Sequence, residues 1–380
     1  MQVDLDLIWN ISLVCPWDCE FCCTDAVQVS KRGNNIIMSS NGYEGSFLPD
    51  EQLRLRSVFI KKYPGIKPNK FDLSLLKRIE LGLEPTLDSK MKILERFKGY
   101  KIKIDFAGGE PLVCYENYLV IKEAARIFGA PRISVTSTGV GVQRYGVSDL
   151  ANLIGIYEFT YDEPKSVCDN RPLGYNSSNI KVARNFSKAG VKTKAQIPLH
   201  AANVKIDRIE KIYKELNEIG ATEILLMRLF PVGRGASLSN KGSFPSKEEL
   251  VVAINKFLEL SDEGVTDVRL QCALKHLVER NIPIENPCDM MRKSFGINYQ
   301  GKLLVSAWGN GENGTPINND FVLGDLCSES FESIRATEKF DRYYSKLDDN
   351  HGHCKVISYL NASDGENGFF ENKDPLYLSY

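Results

Sequence analysis

The sequence predicts an α/β fold: a partial, open-sided (β/α)6 barrel, followed by a small α+β domain. Three observations predict it. Short apolar strands alternate with amphipathic stretches from residue 87 to 229, and strands separated by helices pair in parallel through right-handed crossovers. The alternation gives about six strand–helix units, short of the eight that close a barrel. It then stops at Val232-Gly233-Arg234-Gly235, where a different pattern begins.

The elements follow in order. Residues 4–10 alternate and then run apolar, as a short strand does, and lead directly into Cys15. From about residue 24 to 85 the chain is rich in Gly, Asn, Ser, Lys and Pro, with Lys31-Arg32-Gly33-Asn34-Asn35 and Lys62-Tyr63-Pro64-Gly65 as breakers; it reads as an insertion or lid with one or two short helices. Helices are predicted at 87–97, 118–128, 179–189 and 206–219, and strands at 101–106, 132–137, 154–161, 191–199 and 223–229. Beyond the break come a helix at 247–260, a strand near Val268 and a hairpin, 295–298 with 302–306, around Tyr299-Gln300-Gly301. Residues 1–235 therefore form the barrel and 236–380 the second domain, whose tail from 361 reads equally as a docked extension or a loose end.

Composition narrows the function. Forty-three per cent hydrophobic and 26% charged residues describe a globular chain, and 48 bases against 49 acids leave a net charge of -1. No overall field draws such a chain to nucleic acid or to a membrane. The start of the chain carries Asp4 and Asp6 and no basic, apolar leader, and no window reaches the length of a membrane span, so a cytoplasmic protein is expected. Ten cysteines in reducing cytosol point to metal binding or catalysis rather than disulfides.

Four of those cysteines fall together in Cys15-Pro16-Trp17-Asp18-Cys19-Glu20-Phe21-Cys22-Cys23. Three thiolates at this spacing on one loop can ligate three irons of a cubane and leave the fourth open, whereas a structural site closes its fourth position. Cys23 should point away from Cys22, because neighbours in an extended loop diverge. A structural zinc or incidental buried cysteines is the alternative. Gly108-Gly109-Glu110-Pro111 follows the second barrel strand; paired glycines let backbone approach a ligand closely, and proline fixes the exit.

At these residues the sequence resembles the radical S-adenosylmethionine (radical SAM) superfamily. Cys15, Cys19, Phe21 and Cys22 match its Cys-x3-Cys-x-aromatic-Cys signature, and Gly108, Gly109, Glu110 and Pro111 match its second motif. The resemblance implies a [4Fe–4S] cluster on Cys15, Cys19 and Cys22, with S-adenosylmethionine on the open iron. Its amino group would lie at the Gly108–Gly109 backbone and Glu110, and its adenine against Phe21. It further implies reductive cleavage to a 5′-deoxyadenosyl radical that abstracts hydrogen from substrate, fed by an external one-electron reductant of flavodoxin or ferredoxin type. Weaker matches put Ser137 and Thr138 at the ribose, Gln196 and Arg228 near the carboxylate and amine, and Leu229 over the adenine. Tyr161-Asp162 and Asp169-Asn170-Arg171 resemble the start of the substrate loops in SPASM and twitch enzymes, and Cys168 there is a candidate hydrogen-atom donor.

Cys272, Cys288, Cys327 and Cys354 lie beyond the barrel, and Cys288 with its hairpin and Val322-Leu323-Gly324-Asp325-Leu326 resembles the opening of a SPASM or twitch module. Ser306-Ala307-Trp308 stands where that family has a further cysteine, and the later Cys-x2-Cys is absent, so a degenerate module is expected. The resemblance implies one auxiliary [4Fe–4S] cluster on these four cysteines, with His353 able to replace one; buried free thiols are the alternative. The expected activity is crosslinking or epimerisation of a peptide; oxidation or rearrangement of a sugar, nucleoside or alcohol is the second reading. Fourteen residues precede Cys15, too few for a peptide-recognition domain there, which weighs against the peptide reading unless a separate partner delivers the peptide. An electron carrier or zinc-stabilised module is the reading outside enzymology.

Overall fold

The computed structural model describes residues 5–167, 171–278 and 286–377. The chain opens with strands β1 (Leu5–Ser12) and β2 (Val14–Cys15), then a meander of β3 (Val27–Arg32), β4 (Asn35–Ser40) and β5 (Tyr43–Phe47). Helices α1 (Pro49–Lys62), α2 (Lys70–Glu80) and α3 (Leu87–Glu95) follow. Next come β6 (Ile102–Gly108), α4 (Tyr115–Phe128), β7 (Ile133–Thr136), the short α5 (Val142–Tyr145) and α6 (Val147–Ala151), and β8 (Ile156–Thr160). The barrel continues with α7 (Tyr175–Lys188), β9 (Lys192–Leu199), α8 (Ile206–Glu218) and β10 (Glu223–Arg228). Beyond it stand α9 (Lys247–Glu263), β11 (Asp267–Leu270), β12 (Ser294–Ile297), β13 (Lys302–Leu304), β14 (Val322–Asp325), α10 (Phe331–Arg335), α11 (Glu338–Ser345) and α12 (Lys355–Asn361).

The main sheet runs β11-β10-β9-β8-β7-β6-β1-β12-β13-β14. From β11 to β12 every pair is parallel, and only β13 and β14 are antiparallel. The six predicted barrel strands are β1 and β6 to β10. Elements from both sides of the predicted boundary share this sheet, because β11 extends the β10 edge and β12 docks on β1. The predicted hairpin is β12–β13, turned at Gly301, whose φ of 82° suits glycine.

The insertion departs from expectation. Its two helices are present as α1 and α2, but the residues before them form a sheet ordered β2-β3-β4-β5. Low hydrophobicity hid the strands: β3 alternates Val27, Val29 inward with Gln28, Ser30 outward, and Asn41-Gly42 supplies the two-residue turn into β5. Asn69 caps α2, accepting from Phe71 and Asp72 backbone N–H groups while Asp72 accepts from the Asn69 N–H. Glu84, fully buried, accepts from Leu13 N–H (3.1 Å), Ser12 hydroxyl (3.2 Å) and Arg78 (2.8 Å), fixing the chain beyond α2 to the loop that leads to Cys15.

The tail is docked through residue 377. Phe369 and Phe370 are buried, and the Tyr377 hydroxyl donates to the Ala273 carbonyl at 2.6 Å. Among the described residues no helix is long and apolar enough to cross a membrane.

Candidate active site

Parallel strands in a barrel point one side-chain set into the lumen, and their carboxyl ends open on one side. Here a cavity of about 820 Å³ runs from the cysteine loop down that lumen. Cys15, Cys19 and Cys22 all border it, as do Gly108, Gly109, Ser137, Thr138, Gln196, Arg228 and Leu229. Cys15 ends β2, whose partner β3 holds it in the small sheet.

The loop after Cys15 is held from several directions. Cys22 sulfur accepts from the Ala26 N–H at 3.3 Å and lies 3.4 Å from the Thr24 hydroxyl, which donates to the Gly108 carbonyl. Asp25 sits at φ 44°, and its carboxylate accepts from Asn41 and Asn313 N–H groups, tying the loop to the insertion and to the region after β13. Arg234, 7% exposed, reaches across to Asp18, to Asp25 at 3.4 Å and to the Ala26 carbonyl, and its own N–H donates to the Cys22 carbonyl. Burial opposes ionisation of Cys22, yet Arg234, the Ala26 N–H and Thr24 together hold its thiol below the usual value. Burial raises Cys15 and Cys19; beside Cys19 the Arg171 guanidinium acts the other way. Arg171 lies 4.2 Å over the Phe21 ring and 4.9 Å over Tyr175, and is paired with Asp162 at 2.7 Å.

Cys23, expected to face away, also borders the cavity; burial and then Cys22 push its thiol up to about 12. Among the described residues no three His, Cys, Asp or Glu side chains converge as around a single ion. The thiolates of a cubane bind separate irons and stand wider apart than the ligands of one ion.

At Gly109 the missing side chain makes room for the chain's own backbone, that of the cysteine loop. A Cβ there would lie 2.5 Å from the Val14 carbonyl oxygen and 2.6 Å from that of Leu13. The Gly109 and Glu110 N–H groups donate to Ser12 and Val14 carbonyls at 2.8 and 2.9 Å, zipping the end of β6 to the cysteine loop.

Several predicted contacts are committed inside the protein. Glu110 is fully buried and does not border the cavity. Its carboxylate accepts from Thr138 N–H (2.5 Å) and hydroxyl (2.6 Å), Ser137 hydroxyl (2.9 Å) and Leu112 N–H (3.0 Å). A buried carboxylate demands such partners, so Glu110, Ser137 and Thr138 brace one loop against the next; Pro111 is buried and does not border the cavity. Gln196 donates to Glu158 at 2.8 Å and to Thr136 at 3.4 Å. Arg228 donates to both oxygens of Asp374 at 2.7 Å, its charge neutralised by the docked tail. Phe21 packs with Leu229 and Leu238. Cys168, Asp169 and Asn170 lie outside the described residues.

Below the cysteine loop the lumen is polar. Lys194 pairs with Glu158 at 2.7 Å, and Asp105 accepts from Thr136 (2.8 Å) and Ser134 (3.1 Å). Burial and then Glu158 push Asp105 up to about 7. Sequence reading did not assign these residues, nor Arg234, Tyr175 or Trp308. Alternation along β9 (Lys194, Gln196, Pro198 on one side) was the available signal for the lumen. Trp308, in the Ser306-Ala307-Trp308 stretch after the hairpin, stacks on Phe230 with ring centroids 4.9 Å apart and borders the cavity.

Of the four distal cysteines, Cys272, Cys288 and Cys354 come together. A hydrogen bond from Cys272 holds the Cys288 thiol down to about 6, burial pushes Cys354 up to about 12, and Cys272 borders the cavity. Cys327 does not join them: its sulfur donates to the Gln300 carbonyl at 3.6 Å and lies against Gly301, because β14 carries it to the hairpin turn. His353 uses Nδ1 to accept the Asp374 N–H at 3.2 Å.

No family model and no curated protein matches the sequence. Solved structures do. Streptococcus suis SuiB bound to S-adenosylmethionine aligns over 98% of this chain and 77% of its own, at 13% identity and TM-score 0.62. SuiB bound to precursor peptide SuiA aligns over 90% of this chain at 13% identity and TM-score 0.57, and this chain spans 66% of that one. Native anSMEcpe with bound AdoMet aligns over 89% of this chain and 82% of its own, at 14% identity and TM-score 0.56.

Proposed function

We propose that this chain, which has the fold of the radical SAM enzymes, holds a [4Fe–4S] cluster on Cys15, Cys19 and Cys22 and binds S-adenosylmethionine beside it. The observation that carries the reading is that the three spaced cysteines and the Gly108–Gly109 shelf border one cavity at the carboxyl ends of the strands. When bound, the cluster and S-adenosylmethionine supply a 5′-deoxyadenosyl radical on reduction by a flavodoxin- or ferredoxin-type donor.

The chain's own part is placement and exclusion of water. Gly109 lets the end of β6 pack directly on the Leu13–Val14 backbone that leads to Cys15, and Glu110 acts behind it by bracing the Ser137–Thr138 loop. Arg171 and Arg234 set positive charge beside Cys19 and Cys22, offsetting the cost of buried thiolates. Phe21, Leu229 and Leu238 form an apolar wall above. The substrate we propose is a peptide, modified by crosslinking or epimerisation; support comes from the likeness to SuiB bound to its precursor peptide and to anSMEcpe bound to a peptide. We further propose a second cluster held by Cys272, Cys288 and Cys354, with Cys327 left out.

Anaerobic reconstitution tests both. Reduced protein should convert S-adenosylmethionine to 5′-deoxyadenosine; Cys19→Ala should abolish this and Cys23→Ala should not. One four-coordinate zinc per chain without turnover would overturn the reading. Cys288→Ser should remove about four irons per chain; an equal loss in Cys327→Ser would refute the three-thiol assignment.

A further inference from the structure

Four acids on the barrel strands border the cavity, and three of them face a cation of the chain: Asp6, Glu158 and Glu223. Lys194 pairs with Glu158 at 2.7 Å, and Arg269 with Glu223 at 3.2 Å. Lys103 stands beside Asp6 as its register partner across β1 and β6; burial raises the Asp6 carboxyl, and Lys103 is the main charge acting against it. Asp105 is the fourth acid. Among the described residues no cation pairs with it, and its two oxygens accept only from the Ser134 and Thr136 hydroxyls, one each. A carboxylate offers about four acceptor sites, so roughly two remain on a side chain that is 7% exposed and opens into the cavity.

The neighbours hold this carboxylate in place without neutralising it. Gln196 donates to Glu158 and to the Thr136 hydroxyl, which leaves the Thr136 hydrogen directed at Asp105. Burial and then Glu158 push Asp105 up to about 7, so the ionised form is costly in the lumen, and a cation brought in by a ligand removes that cost. Depth matters as well. Asp105 lies three residues before Gly108 on β6, about 10 Å below it at roughly 3.3 Å per residue. Towards the cysteine loop the next lining residues of β6, β9 and β10 are apolar: Ala107, Pro198 and Met227. An apolar sleeve above a lone carboxylate matches a side chain with a methylene stem and a charged tip.

We propose that the lumen receives a long basic side chain of the substrate peptide, its cationic tip on Asp105 and its stem between Ala107, Pro198 and Met227. The backbone end of that residue then lies towards the cysteine loop. A neutral or acidic side chain in the same place leaves Asp105 uncompensated. The inference deepens the proposal of a peptide substrate and rests on it.

The test uses the reconstituted full chain with S-adenosylmethionine, titrated calorimetrically with acetyl-Ala-Ala-Lys-Ala-Ala-amide and with the same peptide carrying norleucine in place of lysine. The lysine peptide is expected to bind at least about tenfold tighter. Asp105→Asn, which keeps the shape and removes the charge, should erase the difference; it relieves a buried acid, so folding is not at risk, and urea unfolding verifies this. Because the cation needs the ionised carboxylate, wild-type affinity for the lysine peptide should fall about tenfold from pH 8 to pH 6, and stay level in Asp105→Asn. Equal binding of the two peptides, no binding of either, tighter binding of a glutamate counterpart, or the same pH profile in the variant overturns the proposal. 5′-Deoxyadenosine formation by the wild-type protein reports the proposed function separately, so turnover without a preference for lysine sinks the lumen assignment alone.

Discussion

Gly109→Ala isolates one physical contact at the heart of the site. Gly109 has an ordinary backbone conformation, so alanine brings no φ penalty; its whole effect is the added methyl. That methyl would stand 2.5 Å from Val14 oxygen, 2.6 Å from Leu13 oxygen and 2.7 Å from Leu13 carbon, all backbone, with no flexible side-chain end to yield. Reaching ordinary contact at 3.4 Å requires a shift of about 0.9 Å between β6 and the cysteine loop. The bonds from Gly109 and Glu110 to Ser12 and Val14 resist it. Overpacking costs about 1–3 kcal/mol and losing a zipper bond about 1 kcal/mol more, so a loss of roughly 2–4 kcal/mol is expected. A displacement of about 0.9 Å next to Cys15 also exceeds the ~0.5 Å a functional constellation tolerates. Urea unfolding of the apo protein gives the stability change, and anaerobic reconstitution gives iron and S-adenosylmethionine affinity. Gly99→Ala is the control: its φ of 93° carries strain but its methyl meets open space, so it should lose about 1 kcal/mol and keep full iron. A Gly109→Ala protein within 0.5 kcal/mol of wild type, with full iron, would refute the steric argument.

Two further predictions concern buried charge. Asp374→Ala leaves Arg228 uncompensated and strips the acceptor from the Cys354 and Leu376 N–H groups, so stability should fall by about 3–5 kcal/mol, and limited proteolysis should cut the tail that wild type protects; an unchanged digest would count against the docked tail. Asp105, pushed up from 3.8 to about 7, makes a contribution opposite to that of a paired carboxylate. Below the unfolded pKa both states hold the proton and there is no cost; as pH rises towards the folded value the folded state is penalised, fully so above about 7. Asp105→Asn should therefore stabilise the protein more at pH 8 than at pH 5, by about 2.7 kcal/mol at most, since roughly two of the three pH units of penalty accrue between those values. An equal effect in urea at the two pH values would remove that explanation.

Strand–helix alternation was legible because each barrel element obeys a period that burial enforces. β9 alternates lumen and core residues, and α8 buries Ile209, Ile212, Tyr213 and Leu216 at helical spacing. The insertion was not legible in the same way. Its strands are six, six and five residues long and half polar, since one face packs on α2 and the other meets water. The strand pairing that joins β12 to β1 is likewise invisible to local pattern, because it spans nearly 300 residues of chain.

The site divides along the same line. Cysteine spacing and the paired glycines are local features, and their chemistry can be read from the residues alone. Partner choice is not local. Glu110 looked like a ligand-facing carboxylate because nothing in Gly108-Gly109-Glu110-Pro111 indicates that Ser137 and Thr138, on the next loop, satisfy it. Arg228, expected near the carboxylate and amine of S-adenosylmethionine, pairs with Asp374, a partner 146 residues away that no local pattern indicates. Cys327 looked equivalent to Cys272, Cys288 and Cys354 until β14 separated it from them. Each case follows one rule: a buried polar group is committed wherever the fold brings it a partner, so spacing identifies which residues can do chemistry, while topology decides which remain available for it.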